Sequence, residues 1–245
     1  MLVAGFPSAV YGTNVYVVAP APGEECVIVD PGMEVSAGVD ELLREHRLKP
    51  VAVLLTHGHI DHIFSVVPVA GSRGISAYIH PDDREMLADP MKGLSTESTD
   101  LFGGRLQWQE PDDVSLLADG VTLSMVGLEI AVAHAPGHTP GSVMFRVPGS
   151  PDGVRGLPSP PRETLLSGDV LFAGSIGRTD LPGGSHSQML QSLRDKVLPL
   201  DDDILVLPGH GGATTIGRER ESNPFLRGLL DDQAADSSSA AGRGL

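Results

Sequence analysis

The chain has 245 residues, 40% of them apolar, with 30 glycines and 20 prolines, a composition that suits one globular domain and excludes collagen, coiled coil and wholesale disorder. Its one cysteine, Cys26, excludes an internal disulfide, and no run approaches the roughly 18 apolar residues of a membrane helix. Thirty-two acidic against 17 basic side chains, a formal charge of −15, argue against nucleic acid and anionic membranes as partners, because a basic face is what binds phosphate; a cytoplasmic location is the expectation.

The N-terminal stretch lacks the basic segment of a secretory leader and reads as a first strand. NVYVVA (14–19) and CVIVD (26–30) read as adjacent strands joined by the turn PAPGEE. Ser36 to Leu48 has the spacing of a helix, with Val39, Leu42, Leu43 and Leu48 on one face. VAVLL (51–55) is an unbroken apolar run, as expected of a strand covered on both faces. Segment 60–70 opens as a helix, AYIH (77–80) is a short strand, and Pro81 to Leu87 a short helix.

From residue 114 the pattern is strand after strand: 121–126, 128–134, 142–147, 164–167 and 203–207. Segment 147–163 reads as a Pro/Gly-rich surface loop and Ser185 to Val197 as the clearest late helix. The organisation expected is one domain over residues 1–230 and a disordered tail over 231–245, where apolar side chains are few. Strands interleaved with helices along the whole length predict a layered α/β sandwich.

The chemistry starts where VAVLL runs into T-H-G-H-I-D-H, which puts His57, His59, Asp61 and His62 within six residues. His57 and His59 are two apart in extended chain and point the same way. Asp61 suits a helix N-cap, with His62 just inside the first turn. Three imidazoles and a carboxylate are ligands for zinc, iron or manganese; a His-rich surface turn is the plain alternative. Three more groups of the same types sit in turns at the ends of apolar runs: His138 in A-P-G-H-T-P-G-S, Asp169 after TLLSG, and His210 in L-P-G-H-G-G. Seven such groups are enough for two metals.

In this order, H-x-H-x-D-H, P-G-H-T-P-G-S, S-G-D and P-G-H-G resemble the metallo-β-lactamase superfamily over about residues 1–228. The resemblance implies a four-layer αβ/βα sandwich of two mixed β-sheets flanked by helices, with the ligand loops along one edge. It further implies that His57, His59 and His138 hold a first metal, that Asp61, His62 and His210 hold a second, and that Asp169 bridges them. Asp61 and Asp169 are thereby the carboxylates expected to serve catalysis. Two divalent ions are implied, zinc first, with iron or manganese as alternatives.

G-S-I-G-R-T-D-L-P-G-G-S (174–185) and T-T-I-G-R-E-R-x-x-N-P-F-L (214–226) are similar to the short bacterial glyoxalase II-like branch, the relatives of hydroxyacylglutathione hydrolase. That branch implies hydrolysis of a hydroxyacyl thioester of a low-molecular-weight thiol, such as S-lactoylglutathione, by metal-bound hydroxide. Thirty-five residues follow His210, too few for the helical thiol-binding domain of the best-known glyoxalase II enzymes, so weaker binding of the thiol carrier is expected. Residue chemistry agrees with a thioester: metals bring the pKa of bound water from about 16 toward 7, and a thiolate, with a thiol pKa near 8.5, leaves without strong acid help. A mononuclear-iron persulfide dioxygenase of the same superfamily is the alternative, and lactamase or phosphodiesterase chemistry on the same core a further one.

Other residues carry weaker signals. Asp30, ending CVIVD, suits a carboxylate that orients a ligand imidazole, or simply a turn residue. Arg178 is a candidate contact for an anionic substrate, or a partner of Asp180, and Tyr11 and Phe172 are candidates for the substrate mouth. His46, His80, His134 and His186 read as structural or surface residues.

Overall fold

The structure is a computed structural model that describes residues 1–95, 99, 108–152 and 160–241, with side chains described through residue 232. Strand β4 (Lys49–Leu54) shows why the chain layers as it does. Its alternate side chains face opposite ways. Ala52 and Leu54 enter a buried cluster with Val18, Val27, Phe145 and Leu166, while Val53 joins Ile28, Val39 and Ile63 in another. Neither face meets water, so the sequence there is apolar without alternation.

The first sheet orders β1 (Leu2–Pro7), β2 (Asn14–Ala19), β3 (Glu25–Val29), β4, β5 (Ser76–Ile79) and β6 (Val114–Leu116) in chain sequence. It is antiparallel from β1 to β3 and parallel from β3 to β6. Strands β7 (Thr122–Met125), β8 (Leu128–His134), β9 (Val143–Pro148) and β10 (Glu163–Gly168) form the second sheet with β13 (Leu205–Pro208) and β14 (Thr214–Thr215), in the order 14-13-10-9-8-7. Here only β10 and β13 run parallel. Strands β11 (Leu171–Phe172) and β12 (Ser175–Ile176) make a small hairpin beyond β10.

Val18, Val27, Leu54, Ile130, Val132, Phe145 and Leu166 fill the space between the sheets. Helices α1 (Ser36–His46) and α3 (Val66–Ala70) cover the first sheet through Val39, Leu43, Val66 and Val69. Short helices α2 (Ile60–Ile63) and α4 (Arg84–Ala88) lie near its end, with Ile63 and Leu87 in the same cluster. Helices α5 (His186–Ser192), α6 (Ile216–Ser222) and α7 (Pro224–Ala241) cover the second sheet through Met189, Ile216, Leu226 and Leu229. This is the four-layer sandwich, helices outside and two mixed sheets inside.

Two expectations about elements need correction. Helix α1 stops at His46, because Arg47 takes a left-handed C-cap with φ 55°; Leu48 is buried beside the helix rather than on it. The helix expected to run to Val197 keeps α geometry only to Ser192 and widens to a π turn over Leu193–Val197, a change that apolar spacing does not register. Helix α7 continues as far as Ala241: Phe225, Leu226 and Leu229 anchor it, and the Ala and Gln beyond are good helix formers. Residues 242–245, and 153–159 of the expected Pro/Gly loop, lie outside the described residues.

Cys26 sits on β3 with no solvent exposure, and burial pushes its thiol up to about 12. A raised acid pKa means that stability is intact below the ordinary thiol range and is lost as pH climbs toward that value, where only the unfolded chain ionises freely. Cys26 is therefore expected to ignore a disulfide reagent such as DTNB at pH 8 in the native chain and to react fully after denaturation. Rapid native labelling would contradict its burial.

Candidate metal centre

The ends of β4, β8, β10 and β13, with the loop before β2, meet at one edge of the sandwich. Backbone bonds tie these ends together: Val143 donates to Thr56 at 2.8 Å, Gly209 to Gly168 at 2.8 Å and Asn14 to Gly209 at 2.7 Å. Side-chain bonds from Asn14 Nδ2 and Tyr16 Oη to the Pro208 carbonyl, 3.0 and 2.8 Å, fix β13 against β2. Turns at strand ends held this rigidly position side chains more accurately than free loops.

After β4, Thr56 donates from its N–H and its hydroxyl to the two carboxylate oxygens of Asp30, at 2.8 and 2.6 Å. Asp30 is buried and adopts φ 49°, a left-handed conformation that Asp tolerates better than most residues. Its Oδ2 also lies 2.9 Å from His62 Nδ1. These contacts settle which ring nitrogens are free. His57 Nδ1 lies 3.0 Å from Thr56 Oγ1, whose proton goes to Asp30, so Nδ1 donates and Nε2 keeps a bare lone pair. His62 Nδ1 donates to Asp30, and His138 Nδ1 donates to the Arg178 carbonyl at 2.8 Å. Each again turns Nε2 to the shared pocket, the arrangement by which outer partners orient metal-binding imidazoles.

These ring nitrogens converge with those of His59 and His210. His138 Nε2 is 3.2 Å from His57 Nε2 and 2.8 Å from His59 Nδ1. His210 Nε2 is 3.3 Å from His62 Nε2 and 3.2 Å from Asp61 Oδ2. Asp169 reaches both groups: Oδ1 is 3.4 Å from His62 Nε2, and Oδ2 is 3.5 Å from His138 Nε2 and from His210 Nε2. The structure thus brings all seven predicted residues together, as two three-residue groups with Asp169 between them. Facing lone pairs repel unless something positive lies between them. His59 Nε2 and Asp169 Oδ1 are also buried without a hydrogen-bond partner among the described residues. Imidazole and carboxylate donors so arranged fit divalent zinc, iron or manganese.

Electrostatics point the same way. Burial, reinforced by the surrounding imidazoles, holds His57 well below the usual histidine range. Burial and His138 lower His59 to about 3. Burial opposes charging His62 as well, but Asp169, Asp61 and Asp30 outweigh it and raise that group. Asp61 and Asp169 remain ionised against the desolvation penalty because His62 and other imidazoles lie beside them. His210 is likewise raised, with burial opposing its charge and the Asp61 and Asp169 carboxylates favouring it.

Asp61 does not cap a helix, contrary to expectation. His59 occupies the N-cap of α2, and Asp61 falls in the first turn. Its Oδ2 accepts from the Thr13 hydroxyl at 2.9 Å and faces His210, which turns the carboxylate toward the other ligands instead of the helix N-terminus. Thr13 is fully buried and sequence reading missed it, because its contact spans 48 positions and carries no local signature. Thr56 was legible within its motif, though not as a donor to Asp30. Gly209 is required for the last turn, since a Cβ there would collide with the Asp169 carboxylate.

Among the other candidates, Phe172 stands edge-on to His210 with ring centroids 6.1 Å apart. Tyr11 is 60% exposed, at φ 64° in the loop before β2. Arg178 meets the site only through its carbonyl; its guanidinium turns outward and pairs with Asp180 at 2.7 Å. His80 and His134 lie off the site, stacked face to face at 3.9 Å. With Asp82 they form another group of ligand types, but rings 10° from parallel direct their lone pairs along planes that do not meet at one ion.

This architecture and cluster define a protein of the metallo-hydrolase class. Residues 9–151 match the metallo-beta-lactamase superfamily, and the chain belongs to it. It is similar to an uncharacterized protein of Mycobacterium tuberculosis, 45% identical over 94% of this chain and 99% of that one. It is also similar to hydroxyacylglutathione hydrolase GloC of Haemophilus influenzae, 33% identical over 83% of this chain and 88% of GloC. Among solved structures, that of BLEG-1 B3 metallo-beta-lactamase superposes with a TM-score of 0.76 at 38% identity, covering 92% of this chain and 99% of BLEG-1. No helix among the described residues is long and apolar enough to cross a membrane.

Proposed function

We propose that this chain is a metal-dependent thioesterase that hydrolyses a hydroxyacyl ester of a low-molecular-weight thiol, with S-lactoylglutathione as the type substrate. The observation that carries the reading is the convergence of seven ligand-type side chains on two groups that share Asp169, together with similarity to GloC along most of both chains. His57, His59 and His138 would hold one ion and Asp61, His62 and His210 the other, zinc being first choice and iron or manganese the alternatives. Bound ions would supply Lewis acidity, lowering the pKa of water and polarising the carbonyl oxygen.

The chain's own residues do the rest. Asp30 and the Arg178 carbonyl keep the His62, His57 and His138 protons on the far side of each ring, so no ring proton blocks the ligand face. Asp30 itself is 2% exposed and fully engaged, so it has no path to protonate a leaving group. Thiolates leave without such help, whereas amide nitrogen needs a proton. Similarity to BLEG-1 is what favours a lactamase instead.

Steady-state kinetics on protein carrying two metals separate these readings. Lactoyl thioesters of glutathione and of other small thiols are expected to turn over, and a β-lactam to react far more slowly. Absence of turnover with every thiol carrier would refute the thioesterase, and a faster lactam reaction would establish the lactamase.

A further inference from the structure

We propose that Asp83 is a positioning residue that clamps together the two loops carrying His57, His59 and His138, and so sets the affinity of that group for its ion. This rests on the reading of those three histidines as metal ligands. Asp83 ends the short 3₁₀ turn Pro81–Asp83 and has no solvent exposure. Its Oδ2 accepts from the Gly58 N–H at 2.8 Å and from the Thr139 hydroxyl at 2.6 Å. Its Oδ1 accepts from the Gly141 N–H at 2.7 Å. Gly58 lies between His57 and His59, and Thr139 follows His138. One carboxylate therefore fastens both ligand-bearing loops from behind.

The fit is specific to a carboxylate. Three donors converge on Asp83, and only an ionised carboxyl group has acceptors alone to offer. Thr139 is held in place by Ser142, whose Oγ accepts its N–H at 3.1 Å and lies 2.7 Å from its hydroxyl. Residue 141 must be glycine for the loop to come this close, because a Cβ there would sit 2.6 Å from Asp83 Cγ. Asp30 plays the corresponding part for Thr56 and His62. Asp30 thus backs both groups, His57 through Thr56 and His62 directly, whereas Asp83 backs the loops of the first group alone.

The test uses the full chain freed of metal by chelation and titrated with Co²⁺, read by its visible absorption, with circular dichroism reporting the fold. Asp83→Asn puts an amide N–H₂ against at least one of the donors and is expected to keep the fold while weakening Co²⁺ binding at the His57, His59 and His138 group roughly 10–100-fold, as loss of outer partners does elsewhere. Thr139→Val should weaken it less, and Thr139→Ser, which keeps the hydroxyl, should restore wild-type affinity. A folded Asp83→Asn chain that binds Co²⁺ within about twofold of wild type overturns the proposal. If Asp83→Asn does not fold, the Thr139 pair decides: equal affinities in Val and Ser variants overturn it. A wild-type chain that takes up no Co²⁺ refutes the metal reading itself, and the proposal with it.

Discussion

Asp169→Ala is expected to strip the centre of metal and to lower kcat/KM for a lactoyl thioester by at least roughly a thousandfold. The carboxylate lies within 3.5 Å of ring nitrogens from both groups, so its loss removes a ligand from each ion at once and leaves each with imidazoles and, at most, one carboxylate. Outer partners of a metal site alone are worth about 10–100-fold, and a shared ligand must exceed that. Metal content by mass spectrometry and steady-state kinetics, run beside a thermal melt, check it. A folded variant that keeps both metals, or turns over within tenfold of wild type, would show that Asp169 is only a neighbour of the site.

Asp61→Ala should act on one group only. Asp61 is the carboxylate that belongs to the His62 and His210 group alone, held there by the Thr13 hydroxyl. Its removal leaves His57, His59 and His138 with their outer partners in place. Metal content is expected to fall from two ions to one, with turnover down roughly a hundredfold or more, because one ion offers less charge to the developing oxyanion. Loss of both metals together would mean that the two groups do not bind independently.

Most of the layered fold and all of the converging side chains were legible in the sequence, for a physical reason. A strand buried on both faces must be apolar throughout, so VAVLL announced its place before the ligands that follow it. His138, Asp169 and His210 stood out because turns bearing one polar group directly beside apolar runs bring it to a sheet edge. What stayed hidden depends on contacts between distant segments. Thr13 and Asp83 are ordinary residues in their local sequence and gain their roles only when the loop before β2 meets the first turn of α2, or when a 3₁₀ turn meets two ligand loops. The reading of Asp61 as an N-cap failed for the same cause: local propensity favours the cap, but Thr13 and His210 claim the carboxylate.

Two ions are expected, one held by each group, with Asp169 between. Anomalous difference maps from metal-loaded crystals of the wild-type chain and of Asp61→Ala test this most directly. The wild type should show two peaks about 3.5–4 Å apart, the spacing of two-metal sites, one among His57, His59 and His138 and one among Asp61, His62 and His210; Asp61→Ala should keep only the first. A single peak in the wild type, or peaks away from these side chains, would contradict the account.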